Sequence, residues 1–369
     1  MTITNKTMKI FTEYKLGEIT LKNRMVMSPM TRSRAINNLP NDLMVKYYAM
    51  RAEAGLLITE GTAPSPNALG YARIPGIFSK EQIDAWKKVT EAVHKNGGSI
   101  FVQLMHTGRV AHIANMPKGA TILAPSAIAA TGEMWTDAEG MQPQPIPKEM
   151  TLEEIEFAQN EFVQAAKNAM EAGFDGVEIH GANGYLMDQF INPASNQRKD
   201  EYGKSYQNRS RFAIEVASKI ANAIGSDKTG IRLSPYGVFN DMSVFEGIEK
   251  QFEYLAMELG KLNLAYIHIV DHSSMGAPEV TESVKNKIRN AFGGTVIYSG
   301  GLSKEKAEST LENNQASFVA FGRAFLANPD LVKRFKNNLK LNDAIPDKFY
   351  TPGEEGYLDY TVSNNNPQQ

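Results

Sequence analysis

The chain has no cysteine among its 369 residues. That excludes disulfide bridges, thiolate nucleophiles, iron–sulfur ligation and cysteine-type zinc sites together, and it is compatible with a reducing compartment. An excess of one charge is also lacking. Lys+Arg number 39 against Asp+Glu 41, a net charge of -2, so there is no sequence-independent grip on nucleic acid or an anionic membrane. No apolar run approaches membrane-spanning length, and the opening MTITNKTMKIF contains no signal-peptide core. These absences set the expectation of a cytoplasmic protein with neither nucleic acid nor membrane as partner. Residues 1–8 read as a flexible leader, with Met8 as an alternative natural start. Missing too is a G-x-G-x-x-G turn after any strand, the mark of a dinucleotide-binding unit.

What is present is a regular alternation. Hydrophobic residues make up 42% of the chain, enough for one large core. Residues 9–20 (KIFTEYKLGEIT) alternate loosely around a Leu-Gly turn and predict a small hairpin. From Asn23 onward, short apolar runs are each followed by Gly, Pro or polar residues and then by a helical period. Eight such strands are read: Arg24–Ser28, Leu56–Glu60, Ser99–Leu104, Asp175–His180, Gly230–Leu233, Ala265–Val270, Thr295–Ser299 and Ser317–Phe321. Ser79 with Gln82 and Thr151 with Glu154 form capping boxes that open helices. Ala54-Gly55, Asn96-Gly97, Ala172-Gly173 and Leu259-Gly260 read as helix exits in left-handed geometry.

Eight β–α units with near-continuous apolar strands predict an α/β protein, a parallel eight-stranded (β/α)8 TIM barrel. A doubly wound open sheet is the runner-up. It usually has fewer strands and carries the missing glycine fingerprint. The expected organisation is one barrel domain over 9–350, followed by a tail over 351–369 that ends in the polar run Ser363–Gln369. One connection is unusually long. Gly108–Met150, rich in Pro, Gly and Ala, reads as a lid-like excursion over the barrel mouth.

Chemistry concentrates after the fourth strand, in GFDGVEIHGANGYLMDQFINPASN, residues 173–196. His180, Asn183 and Tyr185 bring two hydrogen-bond donors and a phenol to a strand's C-terminal end, where barrels place their active sites. Strand parity turns Phe101, Gln103 and Met105 to one face and Gly176, Glu178 and His180 to another, which puts Gln103 and His180 inside. Each has a plainer reading, a satisfied core amide and a buried structural histidine. Ser299-Gly300-Gly301 and Phe321-Gly322-Arg323 follow the last two strands, where barrels commonly bind a phosphate. Either loop alone is equally well a tight turn; the pair with an arginine favours phosphate. Arg232, ending the fifth strand, reads as a cation for a ligand or as the partner of Glu178. Thr31 reads as a turn former, and Tyr71 and Tyr350 as surface aromatics. Of six histidines, His106, His180 and His272 fall at the mouth, with no H-x-H pair and no carboxylate cluster, so no metal is expected.

The run His180-Gly-Ala-Asn183-Gly-Tyr185-Leu-Met-Asp-Gln-Phe190, with Pro193 and Ser195-Asn-Gln-Arg198, closely resembles the Old Yellow Enzyme family of FMN-dependent ene-reductases. SPMTRSR (28–34), TEGTAPSPNALGY (59–71), QLMHTGR (103–109), RLSP (232–235), SGGL (299–302) and FGRAF (321–325) extend the resemblance over roughly 10–350. The overall look is that of the bacterial N-ethylmaleimide and pentaerythritol tetranitrate reductase branch.

The resemblance implies FMN as cofactor and NADPH, or NADH, as reductant. It places Ser299, Gly300, Gly301, Gly322 and Arg323 at the FMN phosphate, and Pro29, Met30, Thr31 and Gly61 along the isoalloxazine. It further implies Gln103 on the pyrimidine edge and Arg232 beside N1 and O2. The substrate would be a small electrophilic alkene or nitro compound, its oxygen held by His180 and Asn183 and its wall formed by Tyr71, Met105 and Tyr350. Hydride from FMN N5 would reach the β-carbon, and Tyr185 would protonate the α-carbon from the opposite face. A phenol, with an ordinary pKa of about 10, is a competent acid at neutral pH. Many relatives in that branch carry Trp where this chain has Met105, which implies a more open and pliable pocket wall. Two other classes compete: a flavin-holding protein without turnover, and a metal-dependent barrel hydrolase.

Overall fold

The computed structural model describes residues 7–363. Most of the expected leader, and residues 364–369 of the polar tail, therefore lie outside the described residues.

Eight parallel strands close on themselves. In chain order the strands are β1 (Tyr14–Leu16), β2 (Ile19–Leu21), β3 (Met25–Met27), β4 (Leu56–Thr62), β5 (Ile100–Leu104), β6 (Leu123–Ala124), β7 (Glu133–Thr136), β8 (Gly140–Pro143), β9 (Lys148–Glu149), β10 (Gly176–Gly181), β11 (Thr229–Leu233), β12 (Tyr266–Val270), β13 (Val296–Ser299) and β14 (Phe318–Phe321). The barrel runs β10-β11-β12-β13-β14-β3-β4-β5 and returns to β10, with helices filling the connections. This is the (β/α)8 barrel that the eight apolar runs imply.

All eight barrel strands are buried throughout, because one face meets the barrel interior and the other meets helices. The helix-facing alternates Val102, Leu104, Val177 and Ile179 join the large outer core; Phe101, Ile58, Tyr266, Ile297 and Phe318 fill the lower interior. The β1–β2 hairpin adds Leu16 and Leu21 to that interior cluster and so plugs the end of the barrel opposite the site.

Both capping boxes are formed, opening the helices Lys80–Lys95 and Leu152–Glu171. The helix-exit expectation needs correction at two of its four glycines. Gly97 and Gly173 have positive φ, but Gly55 does not, and Gly260 lies inside the helix Ile248–Lys261, with Asn263 taking the left-handed position. Both are glycine for closeness instead: a Cβ would lie 2.0 Å from the Asn23 carbonyl oxygen at Gly55, and 2.5 Å from that of Phe292 at Gly260.

The excursion folds as an antiparallel hairpin, β7–β8, between short strands β6 and β9 that pair in parallel. The segment after residue 350 is anchored. Tyr357 stacks on Tyr47 at 4.1 Å, and the buried Arg32 and Arg34 donate to the carbonyls of Phe349 and Gly356, and of Lys348, Phe349 and Glu355, respectively.

Candidate active site

At the C-terminal ends of the strands lies a cavity of about 1140 Å³. Strand direction explains why the chemistry gathers there: every barrel strand opens into a loop at this end and into a helix return at the other. Of the sequence-predicted residues, Pro29, Met30, Thr31, Gln103, Arg232, Ser299, Gly300, Gly301, Gly322 and Arg323 line it, as do His180, Asn183, Tyr185, Tyr71 and Tyr350.

Two do not. Met105 is 1% exposed and sits in an apolar cluster behind Tyr185, and a Cβ on Gly61 would lie 2.5 Å from its Sδ. The open, pliable wall expected at Met105 is therefore a packed contact between β4 and the end of β5. A register shift between Ile58 and Gly61 sets that contact. Nor does His106 reach the cavity. It is buried, accepts at Nδ1 from the Gly108 N–H, and is held neutral by burial, with its pKa pushed down to about 3.

Beneath the cavity floor runs a closed polar network. Gln103 donates through Nε2 to Glu178 at 2.8 Å; His268 Nδ1 lies 2.9 Å from the other Glu178 oxygen, and His268 Nε2 lies 2.9 Å from Ser299 Oγ. Gln103, its amide nitrogen bonded to Glu178, also lines the cavity. Arg232 makes no ion pair with Glu178 or any other described residue, and its Nε is a buried donor without a partner. Of its two readings, the cation awaiting a ligand fits. Burial lowers its pKa and Glu178 raises it, yet a guanidinium stays charged.

The loop after β10 is built differently. Asn183 sits at φ 62, a left-handed position that asparagine tolerates. Its N–H donates to Ser234 Oγ at 2.9 Å and its carbonyl accepts from Asn240 Nδ2 at 2.8 Å. Asp188 accepts from the Gly184 N–H at 2.9 Å and from Ser234 Oγ at 3.2 Å, and burial raises its carboxyl to about 7. His180 stacks edge-on to Tyr185, ring centroids 4.9 Å apart, and its Nδ1 is buried without a partner. Burial, then the charge of Arg232, hold His180 neutral well below the usual histidine range. Burial raises Tyr185 well above an ordinary phenol, so it stays protonated; its hydroxyl donates to Tyr71 Oη at 3.2 Å.

Sequence reasoning missed Ser234, Asn240 and Asp188, which hold this loop from elsewhere in the chain. It placed His272 at the mouth without giving it a role. Two of the first three had a sequence signal, Ser234 in the RLSP motif that ends β11 and Asp188 in the motif that follows β10; Asn240 had none.

On the opposite side, Gly300 (φ 122) and Gly301 (φ 59) expose backbone, and a Cβ at Gly300 would lie 1.9 Å from the Asp271 carbonyl. At Gly322 a Cβ would meet nothing closer than Met30 Sδ at 3.5 Å. Arg323 is exposed, and neither it nor Thr31 makes a side-chain hydrogen bond with a described residue. Free donors, one buried cation and a glycine-lined end fit a flat hydrogen-bonding ring with an anionic phosphate tail.

A family model described as NADH:flavin oxidoreductase / NADH oxidase matches residues 9–342. The chain belongs to that family. A probable flavin mononucleotide-dependent alkene reductase of Leishmania infantum is 41% identical over 350 residues, covering 94% of this chain and 95% of its own. Morphinone reductase in complex with tetrahydroNAD is similar with a TM-score of 0.91 and 40% identity, over 98% of this chain and 99% of the other. An old yellow enzyme homologue from Zymomonas mobilis gives a TM-score of 0.91 and 36% identity, over 96% and 100%. The chain is thus an Old Yellow Enzyme-type oxidoreductase, an ene-reductase with FMN as cofactor and a reduced nicotinamide as electron source. No helix among the described residues is long and apolar enough to cross a membrane.

Proposed function

We propose that this ene-reductase acts on small α,β-unsaturated carbonyl, maleimide or nitro compounds, with NADPH or NADH as reductant. One observation carries the reading: a protonated phenol, a neutral imidazole and a primary amide, Tyr185, His180 and Asn183, line the same cavity as Arg232 and the glycine loops. FMN, when bound, would supply the hydride chemistry that links oxidation of the nicotinamide to reduction of the substrate's activated double bond.

The remaining roles belong to this chain's residues. Ser299, Gly300, Gly301, Gly322 and Arg323 would hold the phosphate; Pro29, Met30, Thr31, Gln103 and Arg232 would hold the ring. His180 and Asn183 donate to the carbonyl or nitro oxygen, whose charge grows as the double bond is reduced, so their hydrogen bonds strengthen along the reaction. A neutral His180 still has one N–H to give. Tyr185 releases its proton to the α-carbon; until then Tyr71 accepts that hydroxyl's hydrogen bond. A flavin-holding protein without turnover would need none of these three groups. The solved relative with tetrahydroNAD supports a nicotinamide in this cavity.

The test is an anaerobic titration of the purified protein with NADPH. Bleaching of the flavin followed by its recovery on adding cyclohexenone is expected. Bleaching without recovery by enone, maleimide or nitroalkene overturns the reading.

A further inference from the structure

Asn183 is useful as a donor only if its amide is turned the right way round, and the geometry points to His272 as the residue that turns it. The backbone of Asn183 is pinned at both ends, by Ser234 on its N–H and by Asn240 on its carbonyl. That leaves the rotation of the amide itself. His272 Nε2 lies 2.7 Å from Asn183 Oδ1. An amide oxygen only accepts, so His272 stands as the tautomer protonated on Nε2 and donates to it. The amide's two N–H bonds then face the cavity, which both residues line. The imidazole is neutral, its pKa pushed down to about 4 by burial and by Arg232.

We propose that His272 is a positioning residue: it acts on the substrate through Asn183 and not by touching it. The inference rests on the clamp described above. Without this contact the amide is free to flip and offer its oxygen to the substrate's oxygen, which repels it. His272 leaves β12 two residues after Val270, while Asn183 follows β10, so the pair joins loops separated by the whole of β11.

The holoenzyme is titrated with 4-nitrophenol, following flavin absorbance, and KM for cyclohexenone is measured in parallel. Asn183→Ala is expected to weaken phenol binding about tenfold, the worth of one hydrogen bond. His272→Ala is expected to weaken it about three- to tenfold, with flavin content unchanged. His272→Gln places an amide N–H where the imidazole Nε2 was and is expected to restore binding to within about twofold. The double variant Asn183→Ala/His272→Ala is expected to bind no more weakly than Asn183→Ala alone, because an indirect effect vanishes with its intermediary. Losses that multiply in the double variant, a silent His272→Ala, or no rescue by Gln overturns the positioning role while leaving the clamp intact. A silent Asn183→Ala overturns the clamp itself, and this inference with it.

Discussion

The two sides of the cavity are built on opposite plans. On the β10 side, His180, Asn183 and Tyr185 are side-chain groups, and the loop that carries them is tied down by Ser234, Asn240, Asp188 and His272. On the β13–β14 side, Gly300, Gly301 and Gly322 contribute backbone, and Arg323 stands exposed with no partner among the described residues. On the function proposed above, the difference follows from what each side has to do. Polarising one oxygen and delivering one proton needs groups of defined pKa and direction, held to within fractions of an ångström. Gripping a phosphate needs close approach and positive charge, which glycine backbone and a single exposed cation would provide.

That contrast can be broken from either side. The largest effect is expected from Gly300→Val, because its Cβ would sit 1.9 Å from the Asp271 carbonyl at a φ of 122. Loss of about 3 kcal/mol or more of stability and of most bound flavin should follow, seen by thermal melting and by the flavin-to-protein absorbance ratio. A fully yellow variant with an unchanged melting temperature would show that this loop has room to spare.

Tyr185→Phe should slow alkene reduction by about 10²–10⁴ while flavin reduction by NADPH proceeds nearly as before. Stopped-flow measurement of the two half-reactions decides this, and equal loss in both removes the phenol's role as acid. Arg323→Ala should weaken FMN binding to the apoprotein by only about three- to tenfold, more at low salt than at high, as suits an exposed cation. A salt-independent loss would mean that Arg323 acts through packing.

The smallest expected effect is a null one. An ordinary histidine gains a proton as pH falls from 7 to 5, but His180 is held well below the usual range and His272 at about 4. Neither imidazole should therefore add pH dependence to enone affinity across that interval once Asp188→Asn removes the loop carboxyl that burial raises to about 7. An inflection in KM near pH 6.5 in that variant would show that one of these imidazoles titrates freely.

Much of this was legible in the residue order. Eight apolar runs gave the barrel, because a strand buried on both faces cannot alternate. Strand parity placed Gln103, Glu178 and His180 on the inner face, since successive side chains must point to opposite sides. Met105 shows the limit of the same rule. It shares parity with Gln103 but lies one step past β5, where the bulge in β4 and Gly61 close over it. Arg32 and Arg34 were visible as part of SPMTRSR, yet nothing nearby says that their partners are carbonyls more than three hundred residues away.

The sequence by itself determined the fold class, the end of the barrel at which the cavity opens, and which residues are proposed as the clamp, the acid and the phosphate glycines. All of these are properties of local pattern or of short motifs. Tertiary structure alone decided which of them face the cavity, that Arg232 has no ion-pair partner among the described residues while Glu178 is shared by Gln103 and His268, and that Asn183 meets His272. The reason is physical: hydrogen-bond satisfaction and burial are set by what packs opposite a residue, and closing the barrel brings those neighbours from strands far apart in the chain.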